Sequence, residues 1–248
     1  MKPLKDLFSE AAADYKKYRP NYPKLFFEEL LALVDEKDRC WDCGTGNGQV
    51  AAILSPYFHE VKASDISVDQ IENAITKKNI EYHIARAEAT VFPDDSFDLI
   101  TVAQAIHWFD FAAFYNEVKR VMKPKAILAV FGYGLIRGTS DFNDLIDHFY
   151  AEMTPYWAPE RRYVEMAYET IPFPFEEHRL NNEYQIDVHW TLEQLVGYLS
   201  SWSAVKHYRE RHQSDAVTNF GERLTDLYQH RGTLPLKFPI FYRIGRSS

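Results

Sequence analysis

The chain has 248 residues, of which 46% are hydrophobic and 26% charged, and its formal net charge is −8. This composition is that of a folded globular protein rather than a disordered one, and the length fits one large domain. The acidic balance disfavours a nucleic-acid-binding protein, because such proteins carry a basic face that neutralises phosphates.

Membrane insertion and secretion are also disfavoured by the sequence. No apolar stretch approaches the ~18 residues of a membrane span. Residues 1–6 lead into no apolar signal region. We therefore expect a cytoplasmic protein without a membrane partner.

The first predicted elements are two helices separated by a proline-containing turn. Residues 6–18 show helical spacing of apolar positions, and the pattern ends at residues 19–23, Arg-Pro-Asn-Tyr-Pro. Tyr15, Tyr18 and Arg19 make this segment unusually rich in groups that contact ligands. An amphipathic helix is then predicted from Leu25 to Val34.

Glycines at alternate positions follow a short predicted strand. Gly44, Gly46 and Gly48 lie between that strand and a helical pattern that begins near Val50. The spacing is not that of the dinucleotide fingerprint G-x-G-x-x-G, because position 49 is Gln, and the lysine of a P-loop is missing. Asp42, just before the first glycine, suits an ammonium group better than a phosphate.

Cys40 and Cys43 form a C-x-x-C pair, but on a predicted strand. Three strand residues separate Cα atoms by roughly 10 Å, which is beyond the reach of a disulfide. A structural zinc site needs four ligands, and the chain has two cysteines. We therefore predict two buried thiols and no metal site.

The next predicted strand, residues 60–64, ends at Asp65. The interval from Gly44 is close to the ~20 residues that bring an acidic side chain to the ribose diol of a bound nucleotide. Ser67 and Gln70 have the spacing of a capping box that opens the following helix.

Three further strands are predicted, over residues 80–85, 97–103 and 126–131. A helix capped by Asp110 precedes the last of them. Gln104, His107 and Trp108 follow the 97–103 strand at the carboxyl edge, where ligands of open α/β sheets bind. The alternation of strands and helices predicts an α/β fold with a doubly wound, mostly parallel sheet.

The motif Asp-x-Gly-x-Gly-x-Gly at residues 42–48 resembles the first motif of the class I S-adenosylmethionine-dependent methyltransferases. Tyr-x-x-Tyr-Arg-Pro-x-Tyr-Pro at residues 15–23 and Phe-Asp-Leu at 97–99 resemble the small-molecule methyltransferases related to trans-aconitate methyltransferase. The resemblance implies S-adenosylmethionine as cofactor. It also implies a Rossmann-like, seven-stranded sheet with an N-terminal helical lid and an inserted helical cap.

The resemblance and the motif positions together give a set of candidate site residues. The expected cofactor-binding residues are Tyr15, Arg19, Asp42, Gly44, Thr45, Gly46, Gly48, Gln49, Asp65, Ile66, Gln70, Ala87, Glu88, Ala103 and Gln104. The expected substrate residues are Tyr18, Trp108, Tyr133 and Arg137. His107 is the candidate general base, although a histidine at a strand end can equally serve only to bond the backbone.

We expect a single methyltransferase domain over residues 1–248. It would comprise a lid (1–23), a cofactor-binding core (38–132), an aromatic-rich substrate cap (133–190), and closing helices with a last antiparallel strand (191–248). The expected reaction is methylation of a small molecule, with the carboxylate of an organic acid as the favoured acceptor. Two alternatives remain open at this point: a cofactor-binding protein without catalysis, and a methyltransferase of RNA or protein.

Overall fold

The computed structural model describes residues 19–228 and 232–247, so Tyr15, Tyr18 and the expected lid helix lie outside the described residues. The strands are β1 (Arg39–Cys43), β2 (Glu60–Asp65), β3 (Ile80–Ile84), β4 (Phe97–Ala103), β5 (Met122–Tyr133), β6 (Glu176–His178), β7 (Gln185–Trp190) and β8 (Leu234–Arg246). The helices are α1 (Lys24–Ala32), α2 (Gln49–Leu54), α3 (Val68–Glu72), α4 (Phe111–Val121), α5 (Ser140–Met153), α6 (Arg161–Glu165), α7 (Leu192–Ser200), α8 (Ser203–His212) and α9 (Ala216–Tyr228). Short 3-10 turns lie at Ile106–Trp108 and Thr154–Tyr156. None of the helices in this part of the chain has the length and apolar character that a membrane span requires.

The sheet has the order β3-β2-β1-β4-β5-β8-β6. Strands β1 to β5 are parallel to one another, and β8 runs antiparallel to both β5 and β6. This confirms the expected α/β, mostly parallel, Rossmann-like fold with an antiparallel last strand. Two strands, β6 and β7, were not placed from the sequence. The closing strand was predicted over residues 238–243, whereas β8 begins at Leu234, and its first half pairs with β7.

The central strands are buried on both faces, which requires helices on both sides of the sheet. Cys40 of β1 belongs to a core formed with α1 and α2, whereas the next residue, Trp41, belongs to the opposite core with α4. Successive strand residues point to opposite faces, so a short apolar run serves both cores. Cys40 and Cys43 are buried and free, as predicted.

The cap is a helical layer with a hydrophobic core of its own. Helices α5, α7, α8 and α9 pack together with β7 and the start of β8 in one cluster, which includes a stacked pair, Phe149 and Phe220, with ring centroids 4.4 Å apart. The expected boundary at residue 190 therefore does not separate two packing units. Residues 192–228 complete the cap that α5 begins, and the segment between α6 and β7 returns to the sheet through β6.

Candidate active site

The glycine loop between β1 and α2 needs residues without a Cβ. Gly48 has φ of 80°, and a Cβ there would lie 2.1 Å from the hydroxyl of Tyr82. A Cβ on Gly44, where φ is 68°, would lie 2.6 Å from the Cβ of Ala105. Only glycine takes this backbone conformation without cost and leaves the space that the neighbouring loops occupy.

Asp42 is a buried carboxylate at the end of β1, with 1% of its surface exposed. Oδ1 accepts a hydrogen bond from the Thr101 hydroxyl at 2.8 Å. Oδ2 accepts from the Thr45 hydroxyl at 2.5 Å and from the Ala51 amide at 3.0 Å. Burial raises the pKa of Asp42 to about 6, the charge of Asp65 adds to this, and the three donors oppose it.

Asp65 ends β2 beside the same loop. Its two carboxylate oxygens each accept one backbone amide, from Gly46 at 2.8 Å and from Ser67 at 3.0 Å. An ionised carboxylate has about four lone-pair sites and can accept several donors at once. The ribose role of Asp65 is compatible with this geometry and stays a prediction.

The residues after Asp65 form half of the expected capping box. Ser67 accepts a hydrogen bond from the Gln70 amide at 3.3 Å and so caps α3, but the Ser67 amide donates to Asp65 instead of to Gln70. Ile66 is partly exposed, whereas Gln70 is buried with its Oε1 near Gly46.

Glu88 ties the loop after β3 to the start of α4. Its carboxylate accepts from the Asp110 amide at 2.9 Å and from Nε of Arg86 at 3.3 Å. Ala87 beside it is buried. The expected role of these two residues in cofactor binding stays a prediction, and Glu88 has a structural role in addition.

A cleft lies above the glycine loop; we call it the loop cleft. Among its lining residues are Arg19, Asp42, Gly44, Thr45, Gly46, Asn47, Gln49, Ala103, Gln104 and Tyr133. The structure thus brings eight of the fifteen predicted cofactor residues together in this cleft. Six others do not line it: Gly48, Asp65, Ile66, Gln70, Ala87 and Glu88. Tyr15 lies outside the described residues.

Asn47 was missed from the sequence, although it stands between two of the glycines. It is 2% exposed, and its side-chain Nδ2 has no hydrogen-bond partner within the described part of the chain. A buried donor without a partner is costly. Since Asn47 lines the loop cleft, a bound ligand would supply the hydrogen-bond acceptor that Nδ2 lacks. The sequence did contain a signal for Asn47, because the side chains between the glycines of a ligand-binding loop also lie close to the ligand.

Gln104 and Tyr133 lie between the loop cleft and a second cavity, and both residues line both spaces. The Gln104 side chain forms two hydrogen bonds with the backbone of Tyr133. Its Nε2 donates to the Tyr133 carbonyl at 3.0 Å, and its Oε1 accepts from the Tyr133 amide at 3.2 Å. Gln104 takes a positive φ of 56°, which is uncommon for a residue with a side chain. Nη1 of Arg19 donates to the Tyr133 hydroxyl at 3.0 Å.

The second cavity lies between the carboxyl edge of the sheet and the cap; we call it the cap cavity. Its described lining residues are Arg19, Gln104, His107, Trp108, Tyr133, Gly134, Trp157, Ala158, Arg161, Tyr198, Ser201, Trp202 and Ser203. They include two arginines and several aromatic residues, and no aspartate or glutamate. Arg161 is backed by aromatic rings, with its guanidinium carbon 4.6 Å from the Trp157 ring centroid.

The expected substrate residues have different outcomes. Trp108 and Tyr133 line the cap cavity, and so does His107. Arg137 is not among the lining residues: it forms an ion pair with Asp147 at 2.5 Å, and its backbone bonds Lys237. Among the described residues of the cap, Arg161 is the arginine that lines this cavity. The position of Arg137 therefore does not support the substrate role expected for it.

Comparison with known proteins identifies similar chains over most of this length. The profile of the family described as "Methyltransferase domain" matches residues 41–130. A protein of Dictyostelium discoideum named as a methyltransferase is 32% identical over 250 residues, which covers 97% of this chain and 95% of the relative.

Two solved structures place the fold among the same proteins. A solved protein of Anaeromyxobacter dehalogenans, named as a type II methyltransferase, is 35% identical with a TM-score of 0.85, and the match covers 92% of this chain and 98% of that one. YcgJ of Bacillus subtilis shares the fold at 18% identity, with a TM-score of 0.53, over 90% of this chain and 97% of that one.

Proposed function

Since this chain belongs to the S-adenosylmethionine-dependent methyltransferases, we propose that it methylates the carboxylate of a small organic acid bound in the cap cavity. The observation that carries this proposal is that the loop cleft and the cap cavity share part of their lining. Arg19, Gln104 and Tyr133 line both the loop cleft and the cap cavity. A methyl donor in the first and an acceptor in the second would meet at these three residues, as a direct transfer requires.

The loop cleft suits the methionine end of the cofactor. That end carries an ammonium group, a carboxylate and a sulfonium. The cleft offers a buried carboxylate in Asp42, a cation in Arg19 and an amide donor in Asn47. When bound, S-adenosylmethionine supplies an electrophilic methyl group, which an acceptor atom takes up as the bond to sulfur breaks.

The charge of the cap cavity supports an anionic acceptor. Arg161 contributes a positive charge to its wall, and the lining residues that the structure describes include no aspartate or glutamate, although the whole chain carries a formal charge of −8. A guanidinium binds a carboxylate through two parallel hydrogen bonds. A carboxylate therefore suits this cavity better than an ammonium group, which Arg161 would repel.

A carboxylate also fits because it needs no deprotonation before it attacks. The residues of the cavity would then serve to orient it and to keep water out. Trp108, Trp157, Tyr198 and Trp202 supply the apolar walls.

The proposal is tested by a screen of small acids, amines and phenols with a cofactor labelled in its methyl group. We expect acids to accept the label and amines not to. In the variant Arg161→Met the KM for the acid should rise about tenfold or more, because a charge-assisted hydrogen bond is lost.

The matched control is Arg137→Met, which removes a half-exposed arginine of the cap whose partner is Asp147. Its KM should stay within about twofold of the wild type, as expected for a surface ion pair. Methylation of amines or phenols but not acids, or equal effects of the two variants, would overturn the proposal.

A further inference from the structure

Two aromatic residues of the cap hold Arg161 at the wall of the cap cavity. Its Nε donates a hydrogen bond to the Tyr150 hydroxyl at 3.1 Å, and its guanidinium carbon lies 4.6 Å from the ring centroid of Trp157. The Tyr150 ring in turn packs on Trp157 and Trp202, with centroids 5.8 Å and 5.9 Å away. Contacts to Nε and to the face of the guanidinium together fix its orientation.

Glu165 is the acidic residue that would be expected to pair with Arg161. The two residues lie four positions apart on α6, and side chains at this spacing are neighbours on a helix. Within the described part of the chain, however, neither of them forms an ion pair. The Tyr150 hydroxyl bonds both instead: it accepts from Arg161 and donates to Oε1 of Glu165 at 2.6 Å.

The Tyr150 hydroxyl can bond both groups because it keeps its proton at neutral pH. Burial raises the pKa of Tyr150 to about 12, and the nearby charge of Arg161 opposes the rise. A neutral hydroxyl has one proton to donate and lone pairs that accept. The cation and the carboxylate are therefore each hydrogen-bonded to the hydroxyl without contacting each other.

This arrangement leaves the two Nη nitrogens of Arg161 for a ligand. Nε is engaged by Tyr150, whereas neither Nη has a hydrogen-bond acceptor among the residues that the structure describes. Arg161 is also a lining residue of the cap cavity. A guanidinium can bind a carboxylate either through Nε and one Nη or through both Nη nitrogens. Since Tyr150 occupies Nε, the second geometry remains.

We propose that Tyr150 is a positioning residue that separates Arg161 from Glu165, so that both Nη nitrogens of Arg161 bind the carboxylate of the methyl acceptor. The part that concerns the acceptor rests on the proposed function, whereas the separation depends only on the three side chains. Without the hydroxyl the two charges would pair directly, and Glu165 would compete with the acceptor for the same nitrogens.

The separation is tested on the ligand-free protein with phenylglyoxal, a dicarbonyl that condenses with the Nη nitrogens of a guanidinium. Peptide mass spectrometry measures the rate of modification at each arginine. We expect Arg161 to react faster than Arg137, whose Nη1 is paired with Asp147. This comparison needs no variant. A wild-type Arg161 that reacts no faster than Arg137 would overturn the proposal.

The variant Tyr150→Phe keeps the ring and removes the hydroxyl. Its rate of modification at Arg161 should fall about threefold, as expected when a partly exposed ion pair forms with Glu165. In the double variant Tyr150→Phe/Glu165→Gln the rate should return to within about twofold of the wild type, because glutamine has no charge. An unchanged rate in Tyr150→Phe, or no recovery in the double variant, would contradict the separating role.

Tyr156→Phe is the matched control. Tyr156 is also a tyrosine of the cap, but its hydroxyl bonds Nε2 of His212 at 2.6 Å, and it is not among the lining residues of the cap cavity. Its substitution should leave the rate of modification at Arg161 unchanged.

Kinetics with the acid identified in the screen test the part that concerns the acceptor. In Tyr150→Phe the KM for this acid should rise about threefold while kcat changes less, because binding of the acceptor is weakened. The double variant should recover the wild-type KM. An unchanged KM in Tyr150→Phe would overturn the role of the Nη nitrogens in acceptor binding. If carboxylates prove not to be acceptors while the rates of modification are as stated, the proposed function fails and the separation of Arg161 from Glu165 stands.

Discussion

Asp42 affects both the stability of the fold and the charge of the loop cleft. Its carboxylate is buried, and burial raises its pKa to about 6. A carboxyl whose pKa is raised by folding binds its proton more tightly in the folded state. Its contribution to the free energy of unfolding is therefore greatest below the unfolded pKa of about 3.9 and is lost as pH rises through about 6.

Asp42→Asn should remove this pH dependence. The variant keeps an oxygen for Thr45 and Ala51, and the Thr101 hydroxyl can turn to accept from the new amide. The difference in the free energy of unfolding, variant minus wild type, should therefore increase by on the order of 2 kcal/mol from about pH 4 to about pH 7. Urea unfolding of the ligand-free proteins across this range measures it. A difference that stays constant with pH would contradict the raised pKa.

Asp65 is the residue on which the nucleoside end of the cofactor is expected to depend. Asp65→Ala should weaken binding of S-adenosylhomocysteine about 100-fold, since charge-assisted hydrogen bonds to the ribose are lost. Isothermal titration calorimetry measures the affinity. The control is Asp69→Ala, in the first turn of α3, which should bind as the wild type does. Wild-type affinity in Asp65→Ala would remove this residue from the site.

The glycine loop is the element that positions the loop cleft. Gly48→Ala should destabilise the protein by about 2 kcal/mol or more, because the residue has positive φ and its Cβ would overlap the Tyr82 hydroxyl. Gly232→Ala is the control, since a Cβ there meets nothing within 4 Å. Thermal unfolding of both variants compares them. Equal melting temperatures would show that the loop relaxes around the added methyl group.

The strands and the glycine loop could be predicted from the sequence because their signals are local. Apolar runs, the glycine spacing and the acid at the end of β2 lie within a few residues of each other, and β1 to β5 follow from them. β7 and the true length of β8 could not be predicted in this way, because each is defined by the other across a long interval of chain.

The cap cavity depends on contacts between distant residues, and the sequence pattern was less informative there. Arg137 and Arg161 have equivalent local surroundings in the sequence, each near aromatic and acidic residues. Only the fold distinguishes them, because Arg137 pairs with Asp147 whereas Arg161 stacks on Trp157 at the cavity wall. The contact between His107 and Tyr168 spans 61 positions and has no local signal either.

At the scale of the whole molecule, the sheet and its loops form most of the loop cleft, and the cap closes the adjoining cap cavity. The loop cleft is built largely by the ends of β1 and β4 with the glycine loop, and the cap cavity is closed by residues such as Trp157, Arg161 and Trp202. A fold arranged in this way can keep its cofactor site constant while changes in the cap alter the acceptor. In this chain the cap contributes a cation and aromatic walls, which is the basis for an acid as acceptor.

The bond that the protein forms is the most direct test of this account. The acid found in the screen is incubated with the methyl-labelled cofactor, and the isolated product is treated with mild base. We predict that base releases the label as methanol, because a methyl ester is hydrolysed under these conditions. A labelled product that survives mild base, as an N-methyl compound or a methyl ether does, would contradict transfer to a carboxylate.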